Sequence, residues 1–410
     1  DLLVKINNFI IDPSNFDIAI KYINYLDKDR QKKKIKNKDV FVSTMNNKFF
    51  DLNTQWFSYK NNYKDYLKKV DNILDSSIYH QDEAKLQIKR IIAQWINGEM
   101  KGYSFGFEGP PGTGKTSLAK KGISKCLVDD YGESRPFAFI AMGGTSNGST
   151  LEGHSYTYVG STWGRIVDIL METKCMNPII YIDELDKISK TEHGKEIIGI
   201  LTHLTDSTQN DEFMDKYFSG VKIDLSKVLF IFSYNDFNLL DSILADRIHR
   251  VKFKKLNRFE KIHIANTYII PELLETVGLK KGNVIFSKKI LEYIIVNYTQ
   301  EAGVRKLKEK LFEIVREINL RYLVNDTVKN IILPYSVTIE FIEDIFKNKA
   351  KGTSKKIANK PMVGIVNGLY ATASGMGGIT IIESFKTPSD SKLSLELTGQ
   401  QGDVMRESMR

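Results

Sequence analysis

Residues 103–108 (YSFGFE) run directly into residues 109–116 (GPPGTGKT), and these into the helix-compatible residues 117–121 (SLAKK). The aromatic hexapeptide suits a strand buried on both faces. Gly109, Pro110, Pro111, Gly112, Thr113, Gly114, Lys115 and Thr116 then fit the spacing of a phosphate-binding loop. Glycines in such a turn let backbone N–H groups point inward at phosphate oxygens. Lys115 supplies a compact positive charge for the β/γ-phosphates, Thr116 offers a hydroxyl to Mg²⁺, and the helix opening near Ser117 contributes the positive end of its dipole. A strand on one side and a helix on the other is the setting that separates this loop from a stray glycine turn. ATP and Mg²⁺ are the implied ligands.

Outward from the loop, three further apolar runs recur: residues 137–142 (FAFIAM), 178–182 (PIIYI) and 228–233 (VLFIFS). Helical or loop segments lie between them, and such alternation predicts a mostly parallel sheet covered by helices, an α/β domain. The run at 178–182 ends in Asp183 and Glu184. Parallel sheets bind ligands beyond the carboxyl ends of their strands, so these carboxylates fall where the phosphate loop needs them. Asp183 is predicted to hold Mg²⁺ through water, with Thr116 as the second metal-side group, and Glu184 to activate the attacking water.

Beyond about Asn257 the strand signal stops and helical stripes replace it, first Ile290, Ile294 and Ile295, then Val304, Leu307, Leu311, Ile314, Val315 and Ile318. On the N-terminal side, Tyr63, Tyr66, Leu67, Val70, Ile73 and Leu74 share one helical face, and Ile88, Ile91, Ile92 and Trp95 share another. Residues 348–360 (NKAKGTSKKIANK) read as a polar linker, and residues 363–382 return to Gly-rich, β-branched strand material. With 410 residues and 42% hydrophobic content, the chain is long enough for several cores. No run of about 18 apolar residues or leader-like start is seen. The cysteines, Cys126 and Cys175, are the only two and have no paired spacing, which favours a reducing, intracellular compartment. The net charge of +9 admits a nucleic-acid partner, but the densest basic run, residues 30–38 (RQKKKIKNK), lacks stacking aromatics and reads as a solvated loop. No membrane partner is expected.

Together these segments resemble the Lon family, ATP-dependent serine proteases in which an AAA+ ATPase module precedes a proteolytic domain; the resemblance runs from about Leu74 to the last residue. Residues 74–79 (LDSSIY) are similar to the segment ahead of the phosphate loop, which implies Tyr79 beside the adenine, although His80 stands where the family carries glycine. Residues 153–166 (GHSYTYVGSTWGRI) resemble the pore-loop segment, and Tyr158, Val159 and Gly160 take the places of its aromatic-aliphatic-glycine triplet facing the channel. Residues 211–226 (DEFMDKYFSGVKIDLS) resemble the second channel loop, with Phe213, Tyr217 and Phe218 as candidate substrate contacts. The resemblance makes Asn235 the sensor that orients water with Glu184. It makes Arg247, in ADR, the arginine finger reaching a neighbouring subunit's γ-phosphate, with His249 and Arg250 close enough to leave the choice of arginine open. Residues 301–307 (EAGVRKL) match the lid signature, which implies Arg305 as the second sensor. Residues 364–384 and 392–408 resemble the opening of the proteolytic domain, so its Ser–Lys dyad is expected beyond Arg410.

The implied organisation is an N-terminal helical stub (1–70), an AAA+ αβα phosphate-loop ATPase domain (71–256), an all-helical lid (257–347), a linker (348–360) and the β-rich, truncated start of a Lon proteolytic domain (361–410). A homo-hexameric ring acting on unfolded or damaged proteins follows from the resemblance. The rival class is an AAA+ nucleic-acid remodeller, which shares the phosphate loop and the carboxylate pair but not the pore-loop triplet or the lid signature. The ordinary alternatives for single residues are a packed tyrosine at 79 or 158, a surface Asp246–Arg247 pair and a solvent-facing Arg305.

Overall fold

The structure, a computed structural model, describes residues 62–97, 103–128, 132–143, 147–324, 331–347, 357, 360–371, 377–384 and 407. Nearly all of the stub and the linker therefore lies outside the described residues. The chain divides into two compact units between Lys254 and Lys255.

In the first unit five parallel strands form one sheet in the order β2-β3-β4-β1-β5: β1 (Ser104–Glu108), β2 (Phe137–Ala141), β3 (Ile179–Asp183), β4 (Leu229–Tyr234) and β5 (His249–Lys252). β3 and β4 are buried almost throughout because helices cover both faces, which is why their sequences are continuous apolar runs. Alternate residues serve opposite layers. Ile179, Tyr181, Leu229, Ile231, Phe105 and Phe107 pack with the helix at 62–77 (α1), the helix Asp82–Asn97 (α2) and the helix that opens at Lys115–Ser117 and ends at Ser124–Cys126 (α3). Ile180, Ile182, Phe230 and Phe232 pack the other way, against Arg165–Thr173 and Glu192–Thr205. The expected boundary between 70 and 71 falls inside α1, whose Val70 and Leu74 both belong to this core.

β5 carries no apolar run and has no strand-like reading in the sequence. Only Val251 of its four residues is buried, because it is an edge strand with one neighbour. It is held to β1 by Arg250, which forks onto Glu108 and lies 4.2 Å over the Phe237 ring. Gly106 in β1 is fixed by its neighbours: a methyl there would come within 2.6 Å of the Tyr234 hydroxyl and 2.4 Å of Ile248.

The second unit is helical as the stripes predict, built on Arg258–Ile264, Lys288–Tyr298, Arg305–Val324 and Ile339–Ile345 around Leu291, Ile294, Leu307, Leu311, Ile314, Val315 and Ile318. It also holds one short parallel pair, β6 (Val284–Ile285) with β7 (Tyr335–Ser336), too brief to leave a period-two signal. Glu301 and Ala302 of EAGVRKL have structural tasks: the Glu301 carboxylate accepts the Leu307 N–H at 2.9 Å, and the Ala302 carbonyl accepts the Leu256 N–H at 2.9 Å. Further on, β8 (Ile365–Ala371) and β9 (Gly377–Glu383) form an antiparallel hairpin. Among the described residues no helix is long and apolar enough to cross a membrane.

Candidate functional site

The sheet brings the sequence motifs to one edge. β1 delivers the loop 109–114, β3 delivers Asp183 and Glu184, and β4, which lies between β1 and β3, delivers Asn235. Gly114 adopts φ +100, a conformation open to glycine and strained for other residues, and α3 begins directly after it. The Lys115 side chain is almost wholly buried. Its ammonium donates to the Gly109 carbonyl and lies 3.4 Å from both the Tyr234 carbonyl and Asn235 Oδ1. Burial pulls its pKa down, and the carboxylates of Asp183 and Asp186 oppose that shift.

Asp186 belongs to this site although the sequence reading passed over it. Its Oδ2 accepts the Asn235 N–H at 3.0 Å, while Oδ1 is buried with no protein partner. The D-x-x-D spacing from Asp183 was the available signal. Thr116 donates to the Tyr181 hydroxyl at 3.2 Å. Tyr181 is fully buried two residues before Asp183, and burial pushes its phenol up to about 12, so that hydroxyl stays neutral beneath the loop.

Glu184 sits at φ 61, the left-handed region that costs a non-glycine residue about 1–3 kcal/mol and is concentrated at functional sites. One carboxylate oxygen accepts from Lys187. The other lies over Gly143, where a Cβ would come within 1.9 Å of Oε2. Gly143, at the end of β2, thus makes the room that Glu184 occupies and is a second residue the motifs did not reveal. Tyr79 is half-buried. The next residue, His80, has φ 60, and Gln81 has φ 66. Part of the strain of these left-handed residues is offset by Gln81, whose side chain exchanges two 2.8 Å hydrogen bonds with the Lys254 backbone.

The first unit is matched over residues 105–256 by the model of the AAA family, ATPases associated with various cellular activities. Residues 275–331 match the Lon protease AAA+ ATPase lid domain, and residues 336–410 match the Lon protease (S16) C-terminal proteolytic domain. The chain is 33% identical, over 417 residues, to a Lon protease homolog of Acanthamoeba polyphaga mimivirus, covering 87% of this chain and 40% of that relative. It is 36% identical over 348 residues to Lon protease of Chlamydia trachomatis (83% and 41%) and 37% identical over 306 residues to that of Campylobacter jejuni (74% and 36%). The chain belongs to the Lon protease family. It spans about two fifths of the length of the curated relatives it matches.

The remaining Lon motifs divide between surface and core. Tyr158 and Val159 are strongly exposed on the loop after Gly153, with Gly160 at φ +82 beyond them and Tyr156 also exposed. In the second loop Phe213, a predicted substrate contact, is instead buried in the core and bridges to Ile223, because the loop needs an apolar anchor. Tyr217 and Phe218 are half-buried, with Trp163 stacked on Phe218 and edge-on to Tyr217. Arg247 does not pair with its neighbour Asp246; it reaches the Asp206 carboxylate and, at 3.2 Å, the Thr202 carbonyl. Arg305 is largely exposed in the second unit, 3.8 Å from Glu309.

Asp206 is pulled down to about 2, first by the Thr208 hydroxyl and amide and then by Arg247. A depressed carboxylate stabilises the fold above its unfolded value, 3.8, and that contribution is lost as pH falls toward 2. Asp206→Asn is therefore expected to lower the urea midpoint at pH 5 to 7 and to match the unmodified chain progressively as the pH falls below about 4. A gap that persisted unchanged down to pH 2 would mean that the carboxylate charge does not matter.

Proposed function

We propose that this chain is the ATP-driven motor of a Lon-type protease, working as a homo-hexameric ring that unfolds damaged or unfolded proteins and threads them toward a Ser–Lys proteolytic chamber. The observation that carries the reading is the convergence of Lys115, Thr116, Asp183, Glu184 and Asn235 at one sheet edge, with Lys115 buried among the groups of β1 and β4. The donor set fits ATP and Mg²⁺. Backbone N–H groups and an ammonium suit phosphate oxygens, while a hydroxyl and carboxylates are the hard oxygen ligands that Mg²⁺ takes. Mg²⁺, when bound, neutralises charge on the β- and γ-phosphates.

In this reading residues 109–117 cradle the phosphates and Lys115 neutralises a phosphate oxygen. Thr116 and Asp183 would hold the metal, partly through water, and Tyr181, by accepting the hydrogen bond of the Thr116 hydroxyl, leaves that oxygen's lone pairs free. Glu184 accepts the proton of the attacking water, Asn235 orients that water, and Tyr79 lies along the adenine. Arg247 serves a neighbouring subunit's site in trans, an assignment supported by the engagement of Arg250 with Glu108 and Phe237. Arg305 senses nucleotide from the lid. Tyr158, Val159 and Gly160 grip polypeptide; their exposure supports that role over packing. The relatives named above, Lon proteases all, favour a protein substrate over the nucleic-acid alternative. The free thiols of Cys126 and Cys175 suit a reducing compartment.

Tyr158→Ala tests the polypeptide side. The exposed ring can be removed without opening a cavity, so the melting temperature should hold while unfolding of a stably folded protein falls about tenfold or more, the size of a hot-spot loss. Unfolding at the parental rate would return Tyr158 to the surface and place the grip elsewhere.

A further inference from the structure

Asp215 is the one fully buried carboxylate among the described residues of the first unit's core, and it lies in the middle of the second channel loop. A buried charge is costly unless hydrogen bonds satisfy it. Both of its oxygens are used: Oδ2 accepts the Gly164 N–H at 2.8 Å and Oδ1 accepts the Tyr217 N–H at 2.8 Å. Gly164 is the residue on which the first channel loop ends and the helix Arg165–Thr173 begins, so no backbone carbonyl of that helix is placed to take its N–H. One carboxylate thus ties the end of the first loop to the second.

The surroundings are built around that tie. The neck of the first loop is closed by His154 N–H donating to the Thr162 carbonyl at 3.0 Å, and Lys216 N–H donates to the Glu152 carbonyl at 2.7 Å. A Cβ on Gly153, which has φ +75, would lie 2.8 Å from Gly164 N and 2.9 Å from Asp215 Oδ1; one on Gly164 would lie 2.0 Å from the Leu151 carbonyl oxygen. Both glycines are therefore required by close approach. Trp163 stacks on Phe218 and meets Tyr217 edge-on. The tip at Tyr156, Tyr158 and Val159 is open to solvent, while beneath it the Gly164 N–H and the Glu152 carbonyl are bonded across to the second loop.

We propose that Asp215 is a positioning residue that locks the two channel loops into one body, so that the exposed tip moves with the helix Arg165–Thr173 rather than independently of it. The inference deepens, and its functional part rests on, the reading of the tip as a polypeptide contact. Motion of a tip on a loose neck would dissipate before reaching the chain it grips, so loss of the lock should weaken polypeptide engagement and spare nucleotide binding.

Amide hydrogen exchange of the unmodified chain tests the lock without any variant. The Gly164 and Tyr217 amides should exchange at least about a hundredfold more slowly than the Val159 amide at the tip. Exchange of Gly164 at the tip's rate overturns the proposal. In Asp215→Asn, whose amide oxygen can replace only one of the two carboxylate acceptors, protection at Gly164 or at Tyr217 should fall about tenfold and the KM for unfolded casein rise about tenfold, with the KM for ATP within about twofold of the parent. Retained protection at both Gly164 and Tyr217, or equal rises in both KM values, overturns the proposal. So does an unmoved casein KM in a variant that has lost protection, when Tyr158→Ala raises that KM. If neither Asp215→Asn nor Tyr158→Ala moves the casein KM while Gly164 or Tyr217 loses protection, the lock stands and the reading of the tip as a polypeptide contact fails.

Discussion

Glu184→Gln is expected to bind ATP as tightly as the unmodified chain and to hydrolyse it about 10²- to 10⁴-fold more slowly, the usual contribution of a positioned general base. The glutamine fits the space that Gly143 leaves over the carboxylate, so the loop need not rearrange. It removes the proton acceptor. Lys115→Ala separates binding from chemistry, because it deletes the charge aimed at the phosphates and should lose nucleotide affinity before turnover is reached. Fluorescent-nucleotide titration beside single-turnover hydrolysis distinguishes the two. Turnover within a few-fold of the parent in Glu184→Gln would move the base to another carboxylate, with Asp186, bonded to the Asn235 backbone, as a candidate in the site.

Arg247→Ala should lower turnover about 10³- to 10⁵-fold, as removal of a trans-acting arginine does, while leaving each subunit's own nucleotide affinity in place. The control is Asp206→Asn, which breaks the carboxylate contact that holds Arg247 within its own chain but keeps the guanidinium. If Arg247 acts across a subunit boundary, the Asp206 variant keeps most of its turnover and the Arg247 variant does not. Equal losses in both would make the Asp206–Arg247 pair a structural tie. An Arg250→Ala variant that lost turnover while remaining folded would point to that residue instead, despite its pairing with Glu108.

The sheet was legible where burial dictated sequence. β1, β3 and β4 are covered on both faces and so had to be apolar, and each motif was readable because it closes one of those strands. β5 was invisible because only Val251 of its four residues is buried, and what ties it to the sheet includes the Arg250–Glu108 pair, a contact across 142 residues that no local period reports. The same holds for the site. Lys115, Asp183 and Glu184 lie at fixed spacings, whereas Gly143, Asp186 and Tyr181 matter only through what the fold places against them. Gln81 shows how a departure from the family can be read. His80 stands where the resemblance led us to expect glycine, and the following glutamine, also left-handed, is held by the backbone of Lys254, 173 positions away. Phe213 was misread because an aromatic in a loop looks alike in sequence whether it faces a channel or anchors the loop.

ATP turnover per chain, followed across chain concentration with and without unfolded casein and with DNA as the alternative partner, tests most directly whether this chain is a polypeptide-directed ring motor. The result expected is Mg²⁺-dependent turnover that rises with concentration as subunits supply Arg247 to one another, and that casein stimulates and DNA does not. Turnover independent of concentration and unmoved by casein, or stimulated by DNA instead, would contradict it.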